Sequence, residues 1–176
     1  MMEQSLILRP RNPEKSKELI HLANQRDLTG LADFDDMSMP FRERIMALET
    51  RLAELPQVEI PIEHHFAAGI YARTMIAPRG TVLTGKIYKV PQMIILNAGE
   101  ITIRSEFFNG RIRGPHIYES PVGAKRFGYC HTDVVWTCLT SVKATNVEDA
   151  EREIYAGSYE ELDHLLNEDT ILVAGV

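Results

Sequence analysis

Between residues 57 and 145 the chain is written in short β-branched and aromatic runs, each closed by turn residues, and that pattern leaves few architectures open. GIYARTMIA, TVLTGKIYK, QMIILNA, EITIRSEFF, HIYES and DVVWTCLTSVKA are bounded by Gly, Pro, Asn or Asp at intervals near ten residues. NAGE and FNGR carry turn chemistry, with Asn97-Ala98-Gly99 and Asn109-Gly110 as the reversing residues. Many short strands at even spacing predict a sandwich or a small barrel.

The flanks have a different period. Asn12-Pro13 offers a helix start, and Leu19, Ile20, Leu22 and Ala23 fit a short amphipathic helix closed by Gly30. After the loop DLTGLADFDDMSM, Ser38 and Pro40 offer a second start. Phe41, Ile45, Leu48, Leu52 and Leu55 then recur on one helical face, and Pro56 stops the run. That stripe is expected to cover the strands or to meet a partner subunit. Beyond residue 145, Thr145-x-x-Glu148 and Ser158-x-x-Glu161 are capping-box patterns separated by Gly157, and the final TILVAGV reads as an edge strand or a tail. The expected organisation is a helical extension over 1–56, a β domain over 57–145 and a helical segment over 146–176.

Charge and cysteine usage narrow the function classes. With 176 residues and 44% hydrophobic content, the chain can bury one sizeable core. No apolar run approaches the ~18 residues of a membrane span, and the first residues lack the apolar stretch of a signal peptide. Cys130 and Cys138 lack CxxC spacing, so two free thiols in a reducing compartment are expected, with the cytoplasm as default. The net charge of −6 is uneven: residues 56–145 carry ten Lys and Arg against six Asp and Glu, whereas residues 146–176 carry one against nine. An overall acidic chain is a poor general nucleic-acid binder. The basic middle fits an anion pocket, or simply a surface on which acidic helices pack.

Two spacings in the β region resemble the motifs of the cupin superfamily. The first cupin motif runs Gly, five residues, His-x-His, three or four residues, Glu, six residues, Gly. The same frame holds Gly80, then Lys86-Ile87-Tyr88, then Gln92, then Gly99. The second runs Pro-x-Gly, two residues, His, three residues, Asn, and the corresponding positions are Pro121-Val122-Gly123, Arg126 and Cys130. The resemblance spans about 58–145 and implies a mainly β, cupin-like jelly-roll barrel with N-terminal and C-terminal helices. The HHF…GxxAR block, His64-His65-Phe66 through Gly69 to Arg73, is similar to bacterial and phage cupin-like chains.

The metal-ligand positions of that family fall on Lys86, Tyr88, Gln92 and Arg126. Lys and Arg are cations without a lone pair to give, and Gln is a weak ligand, so the resemblance implies a cupin that has lost its usual metal. Strand alternation places Val82, Thr84, Lys86 and Tyr88 on one face, which the cupin frame turns inward. Buried cations need neutralising, either by a carboxylate such as Glu63, Glu100, Glu106 or Glu119, or by a bound anion that Arg grips bidentately. The alternative is that Lys86 reaches out to the barrel mouth and Arg126 makes a structural ion pair. A displaced divalent-metal site on His64 or His65 with His131 is a second alternative, although neighbours on a strand face opposite ways.

The expectation is therefore a cupin-like protein that holds a small anionic molecule without a metal cofactor. Lys86, Tyr88, Gln92 and Arg126 are the contacts, with His131, Tyr129, Arg73 and His64 as a second ring. Trp136 reads as core and Asp133 as a turn residue. A homodimer is expected, through the Phe41–Leu55 stripe or an edge strand. Two rivals stand beside this. One is a sugar-isomerase-like enzyme using Tyr88 with His131 or His64 as acid and base. The other is a phage accessory protein that sequesters a nucleotide signal or joins the virion.

Overall fold

The computed structural model describes residues 38–55 and 57–174. The helix expected near Leu19–Ala23 and the stop at Pro56 lie outside the described residues.

Helix α1 (Phe41–Ala53) follows Pro40. Its stripe is spent within the chain: Ile45 and Leu48 are buried against Phe127, with Val82 and Tyr129 packed beside them. The stripe is therefore not a free subunit interface, and Leu55 at its end stays exposed.

The strands are β1 (Ile62–Ala67), β2 (Ile70–Ala77), β3 (Val82–Thr84), β4 (Ile87–Tyr88), β5 (Gln92–Ala98), β6 (Glu100–Arg104), β7 (Asn109–Arg113), β8 (His116–Ser120), β9 (Phe127–Cys130) and β10 (Val134–Ser141). One sheet has the order β1-β2-β10-β5-β8, the other β3-β9-β6-β7. Setting β1 aside as an added edge, two interleaved four-stranded sheets in this order are a jelly roll. The sheets do not share strands, so the body is an open sandwich rather than a closed barrel. Met75, Ile94, Leu96, Val134 and Trp136 from the first sheet meet Ile101, Ile103 and Cys130 from the second. Each large aliphatic side chain buried this way contributes about 1.5–3 kcal/mol.

Turn chemistry fixes the register. Gly80 and Gly99, the two ends of the first motif frame, and Gly123 in the second all have positive φ. Gly99 is the tightest, because a Cβ there would meet the Asp133 carbonyl oxygen at 2.2 Å. Asn109-Gly110, expected to turn, instead belongs to β7. The reversal lies just before it, where the Ser105 hydroxyl accepts the amide protons of Phe107 and Phe108. The expected strand TVLTGKIYK is also broken. β3 stops at Thr84, and Ile87 and Tyr88 pair with a strand from the C-terminal segment.

That segment begins with α2 (Val147–Ile154), whose N-cap is Asn146 rather than Thr145: its side chain accepts from the Asp149 amide at 3.0 Å. The two-residue strand β11 (Tyr155–Ala156) follows, and then α3 (Tyr159–Ala174), which carries the helix through residues expected to form an edge strand or a tail. Ser158 caps α3 through the Glu161 amide, as the capping-box pattern implies. Among the described residues, no helix is long and apolar enough to cross a membrane.

Candidate functional site

The inner face of the first sheet is laid down in rungs by strand pairing. One rung sets Arg73 of β2 opposite Cys138 of β10, and Cys138 opposite Ile94 of β5, which faces Tyr118 of β8. The next sets Met75 opposite Trp136 and Trp136 opposite Leu96. On the other side of Arg73 lies a polar rung: Tyr71 faces Thr140, and Gln92 faces Ser120. The interior thus grades from apolar to polar along the strands, with Arg73 at the boundary.

Arg126 enters this boundary from the other sheet. It shares the inward parity of Gly128 and Cys130 on β9 and is 7% exposed. Its guanidinium donates to the Ser120 hydroxyl and to Tyr88, and lies 4.9 Å from the centroid of the Tyr88 ring and 5.9 Å from that of Trp136. Cation–π contact of this kind stabilises a desolvated guanidinium without neutralising it.

Between the sheets, beside these groups, is a cavity of about 220 Å³. Its polar end is formed by Arg73, Tyr88, Arg126, Cys138 and Tyr155, and its apolar walls by Ile60, Ile62, Met75, Leu83, Ile101 and Ile103. Among the described residues, no carboxylate lines it. Glu63 is drawn to His65, Glu100 to Arg111 and Glu106 to Arg42, and Glu119 is exposed on β8. Neither Arg126 nor Arg73 is in an ion pair among the described residues, and the Arg73 Nε is buried without a hydrogen-bond partner.

The other expected contacts divide. Tyr88 reaches the cavity, and burial, reinforced by Cys138 and opposed by Arg126, raises its hydroxyl pKa well above the usual phenol value. It is a proton donor there, not a phenolate. Lys86 touches the cavity but lies in the loop between β3 and β4. Its Nζ is 2.8 Å from Glu151 on α2 and 4.6 Å from the centroid of the Tyr155 ring. The strand break explains this: the alternation expected over residues 82–88 does not run through Gly85. Val82 and Thr84 therefore face α1, Leu83 faces inward, and Thr84 bonds Glu49 at 3.0 Å. Gln92 is buried in the polar rung, where its Nε2 donates to the Thr140 hydroxyl at 2.9 Å while its Oε1 lacks a partner.

Tyr129 and His131 do not join the site. Their parity on β9 is opposite to that of Arg126, so they stand on the outer side of the second sheet, in edge contact with ring centroids 4.8 Å apart, and His131 bonds the Thr102 hydroxyl at 2.8 Å. His64 lies on the edge strand β1, with its Nδ1 2.6 Å from the Tyr71 hydroxyl. The acid–base pairing of Tyr88 with either histidine therefore does not form.

The metal positions of the cupin frame do not fit a metal. Arg126 and a protonated Tyr88, a poor ligand already bonded to Arg126, fill two of them, Lys86 is salt-bridged outward, and Gln92 offers only a weak amide oxygen. The displaced alternative fails on geometry, since His64, His65 and His131 have separate partners. Among the described residues, no three His, Cys, Asp or Glu side chains converge as a metal site.

Sequence reasoning missed Tyr155, which reaches the cavity only because β11 pairs with β4, setting Tyr155 opposite Tyr88. It also assigned Trp136 to the core alone. Trp136 is core, at 4% exposed, and a wall of the cavity as well.

No family model matches the chain, and no curated protein matches it. Among solved structures it is similar to an RmlC-like cupin family protein with a double-stranded β-helix fold from Methanocaldococcus jannaschii, at 16% identity and TM-score 0.40 over 47% of this chain and 80% of that one. It is also similar to KdgF from Halomonas sp., at 16% identity and TM-score 0.43 over 51% and 86%. A cupin superfamily protein from Desulfitobacterium hafniense gives 9% identity and TM-score 0.42 over 53% and 86%. Likenesses this distant carry nothing about activity. The fold rests on the chain's own strand order, and that order makes it a mainly β jelly roll with helices on both sides of the strands in sequence.

Proposed function

We propose that the protein binds a small organic anion between its two sheets, with Arg126 and Arg73 as the charge partners and no metal. One observation carries this reading: a guanidinium that is 7% exposed, and a second one beside it, border a cavity that no carboxylate lines among the described residues. An unpaired buried charge is costly, and the usual remedy is a partner of opposite sign.

Size and lining narrow the ligand. About 220 Å³ holds roughly seven waters at ~30 Å³ each, which suits a carboxylate on a short aliphatic body. The carboxylate would meet Arg126, Arg73 and the hydroxyls of Tyr88 and Tyr155, and the aliphatic part Met75, Leu83, Ile101 and Ile103. Pockets for drug-sized ligands run to about 300–1,000 Å³, so this cavity favours a small acid over a nucleotide. Binding rather than catalysis is the reading, because among the described residues no histidine or carboxylate lines the cavity, Tyr88 holds its proton tightly and Lys86 is ion-paired.

The test is calorimetric titration of the full chain with isovalerate, succinate and inorganic phosphate, accompanied by native mass spectrometry. At least one probe is expected to bind. Arg126→Gln should weaken it by about 1.5–3 kcal/mol, the worth of a charge-assisted hydrogen bond. Binding that ignores Arg126→Gln, or a stoichiometric divalent-metal adduct, would overturn the proposal.

A further inference from the structure

A second, more open hollow of about 550 Å³ lies outside the sheets, between α1 and the C-terminal segment. Its charges are matched: Lys125 with Glu49 at 2.9 Å, Lys86 with Glu151 at 2.8 Å, and Arg152 with Glu148. Two residues, Lys86 and Tyr155, line both this hollow and the inner cavity. The Lys86–Glu151 pair, laid over the Tyr155 ring, thus stands at the partition between the two spaces.

The three ion pairs are not equivalent. Lys125 is 4% exposed and also donates to the Gly85 carbonyl at 2.7 Å, so it is held from two sides. Lys86 has Glu151 as its hydrogen-bond acceptor and its side chain is 56% exposed, so one ion pair and the face of the Tyr155 ring hold it in place. A lysine on a flexible stem can trade one anion for another of similar field at little cost, because each partner serves as a point charge.

We propose that Lys86 is the latch of the inner cavity: it leaves Glu151 when the anion enters and becomes a third cation on the ligand, closing the passage behind it. This deepens the anion-binding reading and rests on it. Glu151 acts as a competitor for Lys86 and so sets how tightly the site holds its ligand, without touching the ligand itself. Release of the anion returns Lys86 to Glu151.

The sole tryptophan, Trp136, lines the cavity and supplies the readout. Its fluorescence is followed while succinate and inorganic phosphate are titrated into the full chain and into Glu151→Gln, Lys86→Met and the double variant. Removing the competitor should tighten binding about two- to fivefold, the scale of an exposed ion pair. Lys86→Met should weaken it by at least that factor, and Glu151→Gln should have no effect once Lys86 is gone, since the two act through one contact. Affinities that stay within twofold in both single variants, while Arg126→Gln removes binding, would overturn the latch and leave the anion site standing. If neither probe, nor isovalerate, binds the unaltered chain, the anion reading falls and the latch falls with it.

Discussion

Arg126 sits where stability and binding pull apart. Its guanidinium is held by aromatic faces and two hydroxyls rather than by a carboxylate. Replacing it with a volume-matched apolar residue removes a desolvated charge, so Arg126→Met is expected to stabilise the ligand-free protein by about 1–4 kcal/mol. Urea unfolding without added anion checks this, and destabilisation would show that the cation is structural. Cys130 makes a second prediction at this scale. Burial pushes its thiol from 9.0 up to about 12, so in a Cys138→Ala background a thiolate-specific reagent at pH 8 should react only as fast as the chain unfolds. The folded state holds that proton more tightly than the unfolded one. Its contribution to stability is therefore complete below pH 9 and is lost as the pH rises towards 12. Much of the site was legible one residue at a time. The motif frame singled out Tyr88 and Arg126, and both reach the cavity. Tyr129 and His131 were misplaced because a spacing in sequence does not give strand parity until the strand's start is known.

At the scale of elements, the misreadings share a cause. Strand propensity marked TVLTGKIYK as one strand, but Gly85 lets the chain leave one sheet and Tyr88 finds a new partner in β11. That partner lies in a segment written in helical period, and two residues are too short to show a strand signal. Asn109-Gly110 looked like a turn because Asn-Gly usually is one; the Ser105 hydroxyl took the reversal first. Gly99 was read correctly, and its geometry gives a firm expectation. Gly99→Ala should cost about 2–4 kcal/mol, from strain at positive φ and from the close Asp133 carbonyl. Asn146→Ala should cost about 1 kcal/mol as a lost N-cap. Denaturant midpoints on both variants check the order, and equal losses would contradict it.

Across the whole molecule, the charge asymmetry resolves into two separate arrangements. The acidic C-terminal segment meets basic groups elsewhere: Glu151 takes Lys86, Glu161 lies 3.8 Å from Lys89, and Asp163 takes Arg42 at 3.0 Å. Helix packing thus matches Lys86, Lys89 and Arg42, and among the described residues the inner pair, Arg73 and Arg126, is left without a carboxylate. The open first sheet carries a different signature, since Ile70, Ile76, Met93 and Ile117 are exposed on it.

The pairing of Tyr155 with Tyr88 has a consequence in time. About 67 residues separate the two, which at roughly 5–20 residues per second means a wait of several seconds during synthesis. By the end of that interval the strands flanking Arg73 and Arg126 have been made, yet the wall that seals them has not. Dehydration of these two arginines is thereby deferred to a late stage of assembly, and a nascent chain stalled before β11 would keep its arginines wet.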